Sequence, residues 1–312
     1  MIQVQDVTKL YGERRALGPV SFQVSAGDVV GFLGLNGAGK STALRILACD
    51  LLPSSGEVRI DGKDIVDQAL DVRTLVGFLP DRPPLYPEMT VAEYLRFVAC
   101  LRGVPAAHAG ERADEAARRT HVDRVAGAMI GSLSQGYAQR VGIAQAIVHR
   151  PRLLILDEPF TGLDPVQIIE MRALIRGFAR EHTVLLSSHN LGEIREICDR
   201  ILVIRAGALV AAGTEAELTA HMHGALRIEV TVRGSGATAC ASALRVAGVT
   251  GARVRAEREG LCDLEVDAGD DVREALCRDL VSAGLGVLRL DRAQRELEQA
   301  FMELSRGEGE AA

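Results

Sequence analysis

The residues of this 312-residue chain with the plainest chemical meaning are Gly34-Leu35-Asn36-Gly37-Ala38-Gly39-Lys40-Ser41, which satisfy the pattern G-x-x-x-x-G-K-[ST]. In that pattern glycines let backbone N–H groups turn inward around phosphate oxygens, and the helix that follows adds the positive end of its dipole. Lys40 is expected to reach the outer phosphates and the Ser41 hydroxyl to ligate Mg²⁺. Alone, the pattern specifies a nucleoside triphosphate and no particular chemistry, since small-molecule kinases, GTPases and motor ATPases share it. A second signal narrows the choice. Leu153-Leu154-Ile155-Leu156-Asp157-Glu158 places two carboxylates at the C-terminal end of an apolar strand, where open α/β sheets bind ligands. Asp157 is sited to hold Mg²⁺ through its water shell, and Glu158 to polarise a water for attack on the γ-phosphorus. A third segment, Leu133-Ser134-Gln135-Gly136-Tyr137-Ala138-Gln139-Arg140, sets Ser134 at an N-cap position ahead of a helix whose apolar face includes Tyr137, Val141, Ala144 and Ile147. By itself that is a capped helix.

These residues need a frame. Val29 to Leu33 is a continuous apolar strand that runs into the glycine-rich loop and then into a helix over Ser41 to Ala48, ending before Pro53. Strand, loop and helix in that order are what a phosphate cradle requires. Upstream, Val20, Phe22 and Val24 alternate with polar residues, the period of half-buried antiparallel strands. After the proline-dense run Pro80 to Pro87 the pattern becomes mostly helical to Arg150, which reads as an inserted helical lobe over about residues 86–150. A parallel-sheet pattern then resumes. Buried strands at 153–156 and 184–186 alternate with helices at 167–180 and 191–198.

A first domain is expected over residues 1–217 and a second over 218–312. The second has its own pattern, with Leu226, Ile228, Val230 and Val232 alternating against Arg227, Glu229, Thr231 and Arg233. The order β-α-β-β-α-β predicts a small α+β domain of ferredoxin-like type, followed by an amphipathic helix over about 294–304 with Leu297, Phe301 and Leu304 on one face.

Composition limits the remaining possibilities. With 47% hydrophobic residues the chain can bury a large core, which excludes a disordered or collagen-like protein. Lys+Arg 36 against Asp+Glu 42 gives a formal charge of -6, too acidic for a protein whose main work is gripping nucleic acid, and no nucleic-acid partner is expected. The six cysteines are scattered without metal-ligand spacing, as expected of reduced thiols in a cytosolic chain. No apolar run approaches the roughly 20 residues that cross a bilayer, so a membrane role has to come through a partner.

Taken together, the glycine cradle, the serine-capped segment about ninety residues on and the carboxylate pair about twenty beyond it resemble the ATP-binding subunits of ABC transporters, in which the capped segment is the signature usually written LSGGQ. The resemblance spans roughly residues 1–217. It implies a P-loop NTPase core with a RecA-like sheet, an antiparallel β subdomain and an inserted helical subdomain, and ATP with Mg²⁺ as ligands. It adds residues that spacing alone does not assign. Tyr11 resembles the aromatic that stacks on adenine, Gly34 to Thr42, including Asn36, Gly37, Ala38 and Gly39, the phosphate loop, and Ser134, Gln135 and Gly136 the signature. Asp164, in Gly162-Leu163-Asp164-Pro165, resembles the D-loop that communicates between paired sites, and His189 the switch histidine that contacts the γ-phosphate. The implied catalytic set is Glu158, His189 and Lys40.

Two departures stand out. Gln135 replaces the first glycine of the signature and Tyr137 its final glutamine, and the Q-loop glutamine, expected within Gly77 to Arg82, falls by position on Arg82. The variant Q-loop, the run Pro83-Pro84-Leu85-Tyr86-Pro87 and the C-terminal extension resemble the ATPases that pair with ABC-2-type membrane subunits. That implies an exporter-type ATPase working as a homodimer or with a second ATPase subunit, peripheral on the cytoplasmic side of a membrane permease. The alternative carried alongside is a regulatory or soluble ABC ATPase not coupled to transport.

Overall fold

A computed structural model describes residues 1–222, 226–258 and 260–292. In chain order the elements are β1 (Ile2–Tyr11), β2 (Arg14–Val24), β3 (Val29–Leu33), α1 (Lys40–Leu47), β4 (Ser55–Ile60), β5 (Lys63–Asp64), α2 (Ala69–Leu75), β6 (Val76–Leu79), α3 (Val91–Leu101), α4 (Ala106–Arg119), α5 (Gln135–Ile147) and β7 (Leu153–Leu156). They continue as α6 (Pro165–Phe178), β8 (Thr183–Ser188), α7 (Leu191–Arg195), β9 (Arg200–Arg205), β10 (Ala208–Gly213), α8 (Glu215–Met222), β11 (Leu226–Arg233), α9 (Gly236–Ala243), β12 (Val249–Arg258), β13 (Leu261–Ala268), α10 (Arg273–Ser282) and β14 (Gly286–Arg292). The chain divides into two compact units, Met1–Glu215 and the residues from Ala216 onward.

The first unit holds two sheets. An antiparallel sheet has the order β2-β1-β4-β5, and a six-stranded sheet has the order β10-β9-β3-β8-β7-β6. In the larger sheet β9, β3, β8, β7 and β6 run parallel and β10 pairs antiparallel at the edge. All residues of β3, β7 and β8 are buried, which is why β3, β7 and the centre of β8 at 184–186 read as apolar runs, while Thr183, Ser187 and Ser188 are buried polar residues at the ends of β8. Their side chains meet α1 and the inner face of the antiparallel sheet in one core that includes Phe32, Leu44, Ile155, Leu185, Val20 and Ile60. Because β3, β7 and β8 are parallel neighbours, their C-terminal ends lie side by side, and the loops that follow them deliver the phosphate loop, Asp157-Glu158 and His189 to one edge.

The helical stretch between β6 and β7 is built from α3, α4 and α5. Thr90 caps α3 in a reciprocal arrangement with Glu93, whose carboxylate accepts from the Thr90 N–H at 2.9 Å. Along α5, Val141, Ala144 and Ile147 are buried as expected, but Tyr137 is 39% exposed and does not belong to that face.

In the second unit the sheet order is β12-β13-β11-β14, with every pair antiparallel. This is the split βαβ order of a ferredoxin-like domain. Ile228 pairs with Val266, Val230 with Leu264 and Val232 with Cys262, so alternate residues of β11 and β13 form one apolar face, which Ala239, Ala243, Leu276 and Leu280 of α9 and α10 cover. The amphipathic helix expected at 294–304 lies outside the described residues.

Candidate active site

The phosphate loop leaves β3 at Leu33 and enters α1 at Lys40. Gly39 sits at φ +109°, and a Cβ there would lie 2.7 Å from the carbonyl oxygen of Ala16, so conformation and space both exclude a side chain. Lys40 is 5% exposed. Its Nζ donates to Gly34 O at 2.7 Å and to Leu35 O at 3.4 Å, and it faces Glu158 Oε1 at 3.1 Å. The ammonium is thus folded into its own loop and paired with the carboxylate.

Glu158 follows Asp157 off β7 with φ +48°, a left-handed conformation that a glutamate rarely adopts. Its N–H donates to Ser187 Oγ at 2.9 Å, which holds that strained backbone. Its second carboxylate oxygen, Oε2, lies 2.9 Å from His189 Nδ1. Asp157 is buried, and its Oδ1 accepts from Ser187 Oγ at 2.6 Å. It also hydrogen-bonds Ser41. Burial raises the Asp157 carboxyl above its ordinary range, the Glu158 and Asp81 carboxylates add to the effect, and the two serine hydroxyls oppose it. Among the described residues no cation forms an ion pair with Asp157. A buried carboxylate held by hydroxyls and lacking a counter-charge is a hard-oxygen position suited to a divalent cation, and Ser41 is the second oxygen beside it.

A cavity of about 590 Å³ joins these parts. Tyr11, Asn36, Gly37, Gly39 and Lys40 to Thr42 line it, together with Glu158 and His189. Gly34 and Ala38 shape the loop from behind, Gly34 through the carbonyl that accepts from Lys40 and Ala38 through the Leu35 carbonyl that accepts from its N–H at 3.1 Å.

Arg82 requires a correction. It is exposed and does not line the cavity, whereas Asp81 does. The register explains why. Leu79 of β6 is level with Leu156 of β7, so the chain leaves both strands at one edge, and Asp81, two residues past the end of β6, lines the cavity together with Glu158. Arg14, Arg15 and Thr161 also line the cavity and were missed. Arg14 is paired with Tyr11 across the β1–β2 hairpin, so two basic residues beside the expected aromatic were the available signal.

Ser134, Gly136 and Asp164 lie elsewhere. They line a separate cavity of about 1130 Å³ with Tyr137, Arg140 and Gln167. Ser134 caps α5, its Oγ accepting from the Tyr137 N–H at 3.5 Å, and Asp164 caps α6, its Oδ1 accepting from the Gln167 N–H at 2.9 Å. Within one chain the signature segment therefore does not share the cavity of Lys40. Gln135 instead turns toward the loop before α6, where its Nε2 donates to Thr161 O at 3.1 Å.

Comparison with known proteins gives a consistent result. Residues 17–161 match the family model described as ABC transporter. The chain is 37% identical over 212 residues to the bacitracin transport ATP-binding protein BcrA of Bacillus licheniformis, covering 67% of this chain and 68% of that protein. It is 33% identical over 308 residues to the daunorubicin resistance ATP-binding protein DrrA3 of Streptomyces coeruleorubidus, covering 97% of this chain and 95% of that one. Among solved structures, the dimeric post-hydrolysis state of the ATP-binding cassette MJ0796 bound to ADP and Pi matches with a TM-score of 0.63 at 27% identity, covering 69% of this chain and 98% of that one.

Proposed function

The chain belongs to the ABC transporter ATP-binding family, in which it is an ATPase and the ATP-binding subunit of a transporter, and from that premise we propose that it works as one half of a pair of cassettes, each ATP held between Lys40 of one chain and Ser134 of the other. One observation carries this reading: the phosphate cradle and the capped serine line two different cavities of the same chain. A similar cassette is dimeric with ADP and Pi bound.

In this reading Tyr11 stacks on the base, and Asn36 and the loop N–H groups surround the phosphates. Lys40 leaves the Gly34 carbonyl and Glu158 to meet the outer phosphates, which frees the carboxylate. Glu158 then orients the attacking water and accepts its proton, while His189 holds the carboxylate at Oε2 and faces the γ-phosphate. Mg²⁺, when bound by Ser41 and Asp157, neutralises phosphate charge. Asp81 takes the Q-loop position and changes the charge at that wall from neutral to negative. The cassette is assigned to residues 1–217, with about 86–150 as its helical subdomain, and 218–312 form an accessory domain.

The partner we infer is an ABC-2-type permease of exporter type, which places the chain on the cytoplasmic face of a membrane. Relatives named for bacitracin transport and daunorubicin resistance support this. Among the described residues no helix is long and apolar enough to cross a membrane. A docking surface is available in the helical region, where the Tyr86 ring is 44% exposed and packs at 5.9 Å from Tyr94 and 5.8 Å from Phe97. The Tyr94 hydroxyl donates to Pro84 O at 3.1 Å and fixes the proline run beneath it. The test is the mass in solution of a Glu158→Gln variant: ATP with Mg²⁺ should convert it from monomer to dimer, and a monomer at saturating ATP would overturn the paired site.

A further inference from the structure

The first turns of α5 and α6 are seated on each other by two amide side chains, each lying over a glycine of the other segment. Gln135 crosses Gly162: a Cβ at Gly162 would stand 1.9 Å from Gln135 Nε2 and 2.4 Å from its Cδ. Gln167 crosses Gly136 in return, where a Cβ would stand 2.9 Å from Gln167 Oε1. The Gln135 amide also donates to the Thr161 carbonyl at 3.1 Å, and Gly162 is at φ +74°. Thr161 forms part of the wall of the nucleotide cavity, and its N–H donates to the Glu158 carbonyl at 3.2 Å. On the other side, Ser134 is the residue immediately before Gln135. A glycine at position 135, as in LSGGQ, has no amide to make the contact.

We propose that Gln135 is a positioning residue that couples the two half-sites of one chain, tying the turn at Thr161-Gly162 to Ser134 so that a phosphate arriving at Ser134 sets the placement of Glu158. The proposal rests on the reading that Ser134 meets the ATP of a second cassette. Contacts run without a break from Ser134-Gln135 through Thr161-Gly162 to Glu158, and Glu158 is held in a strained conformation whose placement depends on the turn it opens. A shift at Ser134 therefore moves the carboxylate without passing through Lys40. Gln135 itself touches no substrate in this scheme and acts through Thr161.

Steady-state ATPase of the full chain over a range of ATP concentrations tests this, using Gln135→Ala, Gln135→Glu, Gly162→Ala and the Gln135→Ala/Gly162→Ala double variant. Gln135→Glu keeps the shape and the packing but turns an acceptor toward the Thr161 carbonyl. Both Gln135 variants should lower kcat by about three- to tenfold with KM for ATP within about twofold, the size expected for one lost hydrogen bond. Gly162→Ala should cost less kcat in the Gln135→Ala background than in the parent, because the overlapping amide has gone. Unaltered kcat in Gln135→Glu, or additive costs in the cycle, would overturn the proposal. A raised KM with unchanged kcat would also overturn it and make Gln135 a nucleotide ligand. The Glu158→Gln variant separates this from the site reading: full turnover there removes the active-site assignment itself, whereas a dead control with a normal Gln135→Glu removes only the coupling.

Discussion

Lys40 Nζ stands 3.1 Å from Glu158 Oε1, so the cation expected to bind phosphate is neutralised by the base expected to drive hydrolysis. Both side chains are nearly buried, at 6% and 12% exposure, and the pair is shielded from salt. ATP binding must break it. The phosphates take the lysine, and Glu158 remains with His189 at 2.9 Å. The carboxylate is thereby released when there is a γ-phosphate to attack.

Glu158→Gln should therefore have two effects of opposite sign. Turnover should fall by about 10²- to 10⁴-fold with the loss of the base. ATP affinity should rise, by roughly three- to tenfold, because Lys40 no longer has to leave an ion pair. Lys40→Ala should weaken ATP binding and strand a nearly buried carboxylate. Titration with a fluorescent ATP analogue and a phosphate-release assay check both variants, and weaker binding by Glu158→Gln would show that the apo ion pair does not compete with ATP.

Asp81 and Arg82 can be told apart. Asp81 faces the cavity, and its carboxylate adds to the charge that raises Asp157. Asp81→Asn should bring the Asp157 carboxyl closer to its ordinary range, so the pH at which Mg²⁺-dependent ATPase is half-maximal on the acid side should move down. Arg82→Ala should leave that midpoint where it is, since Arg82 is outside the cavity. A pH series of ATPase rates from about 5 to 8 gives both answers.

Most of the site was legible because its chemistry is carried by contiguous residues. A strand, a loop and a helix N-terminus are local, and so are Asp157 and Glu158 at the end of an apolar strand. The alternation in β11 and β13 likewise encodes their shared apolar face. What the sequence could not carry was register between strands. Asp81 lines the same cavity as Glu158 because β6 and β7 align Leu79 with Leu156, and nothing local marks that alignment. The same holds for Gln135. Its departure from LSGGQ was visible, but that its amide lies on Gly162 depends on how α5 meets the loop before α6. Tyr137 has the spacing of the α5 apolar face and is exposed all the same, because in the first turn only Gly136 is covered and the helix is continuously enclosed from Gln139 onward.

His149 should govern part of the acid stability. Its Nε2 meets Val76 O at 3.1 Å, while its buried Nδ1 has no partner. Burial, reinforced by the neighbouring Arg102 charge, pushes the imidazole down to about 4, with the Val76 carbonyl opposing. The unfolded histidine takes up a proton near pH 6.5 and the folded one only near 4, so the unfolded state binds more protons between those values. Stability should then be full above about pH 6.5 and be lost as pH falls toward 4, by at most about 3 kcal/mol from this group. His182, also lowered chiefly by burial, acts in the same direction. Urea unfolding at pH 7 and pH 5 should show a smaller difference for His149→Gln than for the parent, and an equal difference would remove His149 as the cause.

Glu265 gives the second unit a test that leaves the nucleotide chemistry alone. It is 4% exposed on the sheet face opposite the helices and is surrounded by arginines. Arg227 Nε lies 2.8 Å from Oε1, Arg255 Nε lies 3.4 Å from Oε2, and Arg253 pairs with the same carboxylate across the β12–β13 register. Glu265→Ala removes the anion the three guanidinium groups share, although Arg227 keeps Asp267 at 3.1 Å and Arg255 keeps Glu229 at 3.3 Å. Removing one partner of a buried network usually costs about 3–5 kcal/mol. Here the side chains of Arg227, Arg253 and Arg255 are 31%, 60% and 47% exposed and can be rehydrated, and two of them keep a carboxylate partner, which reduces the expected cost to about 1–3 kcal/mol. Hydrogen exchange should therefore quicken across residues 226–268 in Glu265→Ala while β3, β7 and β8 keep their protection, because each unit has its own core. Glu265→Gln, which keeps the acceptor oxygen but not the charge, should fall between the two. Loss of protection in both units at once would mean that they unfold as one.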